Sequence, residues 1–429
     1  MSQFENIIVE LIFIFLHFLL FLINYKVMKK VLMQPAVLFS LLWFTILSLH
    51  FIFRLTILDE LYPVHPQTFI IFFVGALCFS FGSFLIVTYH KKNSPDTEGQ
   101  QKKFNPPMTL SITLRFILAG LLLIGLPFYI QAAYRLFIAS NIENFFVGLR
   151  TQLSYGDEDI GPLKYLVSFS FVIYAINLYA YLKEKNKANK ALLIGSLLLT
   201  IAYAVFITGR SLFFMILIVY FGMSYLHKAN FSIRKNFWLI GTFLIAFILI
   251  GIYFGKGGDK EDSVKENVLP AAQGTGIYLV SSINALDWEL NHNLEVSYSG
   301  ANTFRFFIKT GSQLHLINNA KVEDILQEFS FVPYPTNVYT FYSPYIEDYG
   351  IAFSWLMIGL FGVLHTLLND KALLVKNLRY SLYYSFMLFP LLMSFFQDQY
   401  MSLFSSWFQI VVYIELFIIM NKFFISKRW

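Results

Sequence analysis

The chain has 429 residues, of which 57% are apolar and 19% aromatic; only 14% are charged, and the mean hydropathy is +0.60. Soluble domains carry about 25% charged residues, so a water-soluble fold is excluded and an integral membrane protein is expected. The net charge of +6 gains meaning only when divided between the sides of a bilayer, and the single cysteine, Cys78, excludes an intramolecular disulfide and a cysteine-rich metal site.

The first apolar run, 7–25, is too long for a signal peptide, lacks a basic leader and ends in Lys26, Lys29 and Lys30. It reads as a retained span. Further runs of spanning length lie near 34–53, 67–88, 111–133, 163–182, 191–207, 211–227, 236–254, 349–368, 380–397 and 401–421. The expected fold is therefore an all-α polytopic membrane protein with about eleven transmembrane helices. A tight turn at Thr208-Gly209-Arg210 separates the sixth and seventh spans. Three parts follow: 1–254 with spans one to eight and a loop at 134–162, a polar stretch at 255–348 holding short helices, and 349–429 with spans nine to eleven.

Alternate loops divide by charge. Lys26/Lys29/Lys30, Lys91/Lys92/Lys102/Lys103, Lys183/Lys185/Lys187/Lys190, Lys228/Arg234/Lys235, Lys371/Lys376/Arg379 and Lys422/Lys427/Arg428 fall on one side. Of the 26 acids only Asp96, Glu98, Glu184 and Asp370 accompany them. The positive-inside rule assigns that set to the cytoplasm. The N-terminus and the long loop then face outward, and the C-terminus faces the cytoplasm.

The acid-rich outward side keeps a few cations. Arg210 sits in the tight turn, where it either snorkels to headgroups or clamps an anion. Arg305 and Lys309 are four apart in ANTFRFFIKTGSQLHL, so a helix there places both on one face, as an interfacial amphipathic helix or as an anion site. Arg150 lies in the shorter outward loop, before the acidic run Asp157-Glu158-Asp159. His315 follows the Arg305 segment and reads as structural or as a base; His292 is weaker, and His17, His50 and His365 read as packing or interface residues. Within the apolar runs, Arg115 is near enough to a span end to snorkel, whereas Glu415 lies midway along the last span and requires an interior partner.

The run PYPTNVYTFYSPYIEDYG leads into IAFSWLMIGLFGVLH. This resembles the Wzy-type oligosaccharide repeat-unit polymerases, or O-antigen polymerases, at Pro335, Asn337, Tyr339, Thr340, Asp348 and Gly350, followed by Gly359 and Gly362. The Gly209-Arg210 turn between central spans also looks like that family. Arg150 to Gly161 matches an Arg-x10-Gly pattern found in some members. The long loop departs from it: eleven residues after Arg305 stands Leu316, and Gly311 comes too early.

The resemblance implies a GT-C-like membrane glycosyltransferase architecture in a bacterial inner membrane, with the active site facing the periplasm. It implies transfer of a growing glycan from undecaprenyl pyrophosphate to the non-reducing end of an incoming lipid-linked repeat unit. The partners implied are undecaprenyl pyrophosphate-linked oligosaccharides, membrane lipids and a chain-length-regulating co-polymerase, with no nucleic acid. The leaving pyrophosphate needs cations, for which Arg150, Arg210, Arg305 and Lys309 are the candidates. The attacking hydroxyl needs a base, for which Asp348 comes first, with Glu347 and His315 behind it. A helix start lowers a carboxylate pKa, so Asp348 also reads as a cap. Asn337, Tyr339, Tyr342 and Tyr345 are the glycan-binding candidates, the tyrosines reading equally as an aromatic belt. Pro333, Pro335 and Pro344 are expected to hold this stretch extended. No carboxylate cluster with metal spacing appears, so the expected mechanism is metal-independent and no cofactor is expected.

Three other readings stay open, one of them a purely structural subunit of a glycan assembly complex. An O-antigen ligase uses the same lipid donor, and His292-Asn293 begins a ligase-like motif without the glycine spacing expected after it. A lipid-linked oligosaccharide flippase does no covalent chemistry, but the long loop and the outward N-terminus count against it.

Overall fold

The computed structural model describes residues 3–93, 109–156, 159–227, 268–292, 294–317, 322 and 329–426. The expected span at 236–254, and Asp157 and Glu158 of the acidic run, lie outside the described residues. Among the described residues the fold is helical, with one small antiparallel ladder. Nine helical segments among the described residues are long and apolar enough to cross a membrane, so the protein is multi-pass.

The chain divides into two compact units. The first comprises Met1–Gln101, Ser263–Asp370 and Pro390–Phe404. It holds α1 (Gln3–Val27), α2 (Pro35–Thr56) and α3 (Pro66–Asn93), which pack on one another. Asn24 ties all three: its Nδ2 lies 2.9 Å from Ser80 Oγ, 3.2 Å from Ser40 Oγ and 3.3 Å from the Ala36 carbonyl. Among apolar helices such bonds add what a uniformly apolar surface cannot, namely a defined register.

Then come α9 (Val268–His292), α10 (Arg305–Gln313), β1 (Ser330–Phe331), β2 (Pro335–Thr336), α11 (Ser343–Tyr349) and α12 (Ile351–Val375, in this unit to Asp370). Helix α9 is not one of the nine apolar helices. It is nonetheless covered on most sides: Val280, Ile283, Ala285 and Leu286 are fully buried. Val280 packs on Leu58 and Leu61, Tyr278 on Phe396, and Ala285 on Val332 and Tyr339. The stretch expected to be a polar loop is thus organised around a buried helix. Pro344 stands in the first turn of α11, where a proline's missing N–H costs nothing. The segment is helical there, contrary to the expected extended run. Gly350, at φ +82°, links α11 to α12 in a conformation that side chains avoid.

The second unit comprises Lys102–Asp262, Lys371–Phe389 and Ser405–Trp429. Its elements are α4 (Ile112–Ala139), α5 (Phe145–Tyr155), a 3₁₀ turn (Gly161–Lys164), α6 (Tyr165–Lys183), α7 (Lys187–Ile207) and α8 (Arg210–His227). The bulk of α13 (Leu378–Leu392) and of α14 (Phe404–Ser426) joins them. Ser111, Asn144 and Asn186 cap α4, α5 and α7 by accepting backbone N–H groups. Thr208, at φ +57°, ends α7, so the expected turn does separate two helices. The expected tenth span is shorter than its apolar run: α13 stops at Leu392, and 393–403 turns irregularly.

Glu415 and Arg115, the two intramembrane charges noted in the sequence, both have partners. Glu415 receives Arg379 Nη2 and the Tyr383 hydroxyl, each at 2.5 Å, as a midspan carboxylate demands. Arg115 does not snorkel. It is buried, donating to Asn177 Oδ1 at 3.3 Å and Asn189 Oδ1 at 2.7 Å, because two span amides supply the acceptors that headgroups would have offered.

Candidate functional site

The first unit gathers two polar clusters around α9. One lies on α11. Ser343 and Glu347 are four apart and so share a helix face. Ser343 Oγ donates to Glu347 Oε1 and lies 3.3 Å from Glu289 Oε2. Asn302 Nδ2 donates to Glu347 Oε2 at 2.9 Å. Burial, and then the adjacent Glu347 carboxylate, push the Glu289 carboxyl up to about 9. Two carboxylates this close do not both ionise, so the pair holds one proton near neutrality. Both side chains are half-buried, and the upward push falls on Glu289.

Asp348, beside that pair, is fully buried. Its Oδ2 accepts the Thr303 N–H at 2.5 Å, and its Oδ1 accepts from Asn302 N and Nδ2 at 3.3 Å and Ser297 Oγ at 3.4 Å. Ser297 N and Tyr298 N donate to the Glu347 and Asp348 carbonyls at 2.8 and 2.9 Å. The Asp348 carboxylate therefore clasps the segment 297–303 and delivers it into α10. The Asp348 carboxylate is thus fully buried and committed to this clasp, whereas Glu347 beside it is half-buried.

Helix α10 carries Arg305, half-buried, and Lys309, exposed, on one face as the spacing predicts. Phe306 and Phe307 anchor it on Phe404 at ring separations of 5.2 and 4.9 Å. His315 lies just beyond its end, exposed, on a left-handed backbone at φ +57°. Arg150 on α5 and Arg210 at the first position of α8, both half-buried, belong to the second unit.

The glycan-binding candidates separate. Tyr342 is 0% exposed, its ring among Trp43, Phe72 and Phe341 and its hydroxyl donating to the Phe72 carbonyl at 3.2 Å. Tyr345 is equally buried, donating to Asp398 Oδ1 at 2.8 Å. Neither ring has a face left for a sugar, so both expectations are corrected: α11 turns these side chains into the core. Tyr339 packs against Ala285, Val332 and Trp288, and Asn337 beside it is half-buried.

The second cluster was not anticipated. Asp287 Oδ2 lies 2.9 Å from His65 Nδ1, and Asp287 Oδ1 accepts from His65 N at 3.0 Å and Thr68 Oγ1 at 2.5 Å. This dyad lines a cavity of about 550 Å³ with Asn6, Tyr62, Asn284, Trp288 and His292. Beneath it, His50 bridges Glu10 and Asn284, and Arg54 pairs with Glu10. The rule that flagged Glu415 was available for Glu10, which lies in the first apolar run. Nothing in the sequence joins positions 65 and 287. Among the described residues, no three His, Cys, Asp or Glu side chains gather as a metal-binding group.

No family model, curated protein or solved structure matches this chain.

Proposed function

We propose that this protein is a membrane glycosyltransferase that extends lipid-linked glycan at its outward face, as a repeat-unit polymerase of a bacterial inner membrane. The observation that carries the reading is the close Glu289/Glu347 carboxyl pair, held by Ser343 and Asn302 and followed along the chain from Asn302 by the helix that bears Arg305 and Lys309. A positioned carboxylate and neighbouring cations are the two groups the reaction needs.

In the proposed step a hydroxyl of the incoming unit's terminal sugar attacks the anomeric carbon of the growing chain. Its oxygen forms the new glycosidic bond, and its proton passes to Glu347. The bond from that carbon to the pyrophosphate oxygen breaks, and the lipid pyrophosphate leaves with the electron pair. Arg305 and Lys309 offset the charge that develops on it. Glu289, whose carboxyl burial and the adjacent Glu347 push up, holds its proton before the step, which leaves Glu347 to accept the new one.

A deletion strain complemented with wild type, Glu347→Gln or Arg305→Ala tests the reading, with glycan ladders on gels and protein levels by blot. The expected result is single-repeat glycan in the deletion, ladders with wild type, and loss of ladders in both variants at normal protein level. Full-length polymer retained on its lipid carrier in the deletion would assign the chain to the ligases instead. Repeat units accumulating inside the cell would make it a flippase.

A further inference from the structure

The His65–Asp287 dyad is built in a way that structural histidines seldom need. Asp287, on α9, reaches the start of α3 with its carboxylate and accepts from His65 N and Thr68 Oγ1 with one oxygen, leaving the other for the imidazole at 2.9 Å. Asn291 Nδ2 lies 3.2 Å from the same ring nitrogen, but it donates to the Asp287 carbonyl at 2.6 Å. The shorter contact, to a carboxylate, sets the proton on Nδ1. Nε2 then carries the lone pair. Asp287 is buried whereas the His65 side chain is 57% exposed, so a rigid partner holds an accessible acceptor.

The surroundings indicate what that acceptor meets. The cavity wall has Trp288 and His292 with rings stacked 5.2 Å apart, three residues bearing amide or phenol groups (Asn6, Asn284, Tyr62), and the two prolines Pro63 and Pro66. Its described lining includes no lysine or arginine, and its one formal charge is the Asp287 carboxylate. That carboxylate also occupies the first turn of α3, where a helix otherwise receives an anion. A phosphate is therefore repelled. A neutral, polyhydroxylated ring fits: flat apolar walls for its C–H faces, and amides and an imidazole for its hydroxyls. About 550 Å³ accommodates one or two sugar rings.

We propose that this cavity is a sugar-binding site for a neutral unit of the glycan, in which His65 Nε2 accepts a hydrogen bond from a sugar hydroxyl. The assignment rests on the glycosyltransferase reading for its substrate class, and it separates a neutral-sugar site on α3 and α9 from the cationic helix α10. His65 is a binding residue here, and Asp287 positions it.

The test uses the full-length protein in lipid nanodiscs. The probes are an oligosaccharide released by mild acid from the surface glycan of the producing cells, and farnesyl pyrophosphate as an anionic lipid probe. Binding of each is read by isothermal titration on wild type, His65→Ala and Trp288→Phe, with thermal midpoints confirming folding. Wild type is expected to bind the oligosaccharide saturably, with at least tenfold weaker binding in His65→Ala and unchanged binding of farnesyl pyrophosphate. Trp288→Phe, which retains an aromatic wall and disturbs the fold least, is expected to weaken the oligosaccharide two- to fivefold. Equal oligosaccharide binding by wild type and both variants would overturn the cavity assignment and leave the glycosyltransferase reading standing. Loss of farnesyl pyrophosphate binding in His65→Ala would also overturn it, by making the site anionic. An oligosaccharide that binds no variant, wild type included, would overturn both.

Discussion

Arg54 Nη2 lies 2.5 Å from Glu10 Oε2, with both side chains buried between α1 and α2. His50 Nδ1 takes the second Glu10 oxygen at 2.8 Å, and its Nε2 reaches Asn284 Oδ1 on α9 at 2.8 Å. Two apolar spans are thus fastened to the helix that organises both polar clusters. Removing one partner of a buried pair strands the other charge, at about 3–5 kcal/mol. Glu10→Ala is expected to lower the thermal midpoint of the purified protein sharply, Glu10→Gln less so, since an amide still accepts from His50. A Glu10→Ala midpoint equal to wild type would remove this network from the account of stability.

How much of this was legible in the sequence depends on the physics that each element obeys. Hydropathy found the runs that became α1–α4, α6–α8, α12 and α14, because burial in lipid is a local property of about 20 residues. It overran α13, where apolar residues continue past Leu392 into irregular backbone that the unit buries by tertiary packing. Helix α9 escaped because its polar groups are satisfied across the chain: Ser281 by Thr336, Ser282 by the Phe395 carbonyl, Asn284 by His50. A composition window counts these as solvent-seeking. The motif from Pro335 to Gly350 covers α11 and its two carboxylates, but the partnering of Glu347 with Glu289 depends on α9, and the burial of Tyr342 and Tyr345 on residues distant in sequence.

The carboxyl pair gives stability a pH dependence. The Glu289 carboxyl titrates near 9 in the folded protein, against 4.5 as its ordinary value, so the folded state holds a proton that the unfolded chain has released. Stability from this group is full below about pH 4.5 and falls as pH rises toward 9. Glu289→Gln keeps a neutral, hydrogen-bonding side chain and abolishes the titration. Thermal midpoints measured from pH 5 to 9 are expected to fall less steeply in the variant. Parallel curves would mean that Glu289 is already ionised at neutral pH.

Helices α3 and α12 approach through glycine. A Cβ on Gly82 would stand 2.1 Å from the Gly359 carbonyl oxygen, and one on Gly362 would stand 2.2 Å from the Phe79 carbonyl oxygen. Ser83 Oγ donates to the Gly362 carbonyl at 3.2 Å across the same contact. Small residues let span backbones meet this closely. The obstacle is backbone, which cannot rotate away, so Gly82→Ala is expected to destabilise by about 1–3 kcal/mol. Gly120→Ala, which meets nothing within 4 Å, is the matched control and should leave the thermal midpoint unchanged. Equal midpoint losses in the two would refute the close-approach role.

Asp348 and Glu347 are adjacent yet differ in what their oxygens do, and this difference is measurable. Asp348 spends its carboxylate on Thr303 N, Asn302 N and Ser297 Oγ, whereas Glu347 is half-buried and paired with a protonated acid. Hydrogen bonds to a charged group contribute about 1.5–3 kcal/mol, so Asp348→Ala is expected to cost roughly 3 kcal/mol. Asp348→Asn keeps one acceptor oxygen, so it should loosen the clasp without unfolding the unit. Backbone hydrogen exchange at 297–303 is then expected to quicken in Asp348→Asn, with glycan ladders of reduced intensity still present. Glu347→Gln is expected to show the reverse, with exchange close to wild type and ladders absent. Ladders abolished by Asp348→Asn with unchanged exchange would return the base to Asp348, because a clasp cannot be lost without freeing the segment it holds.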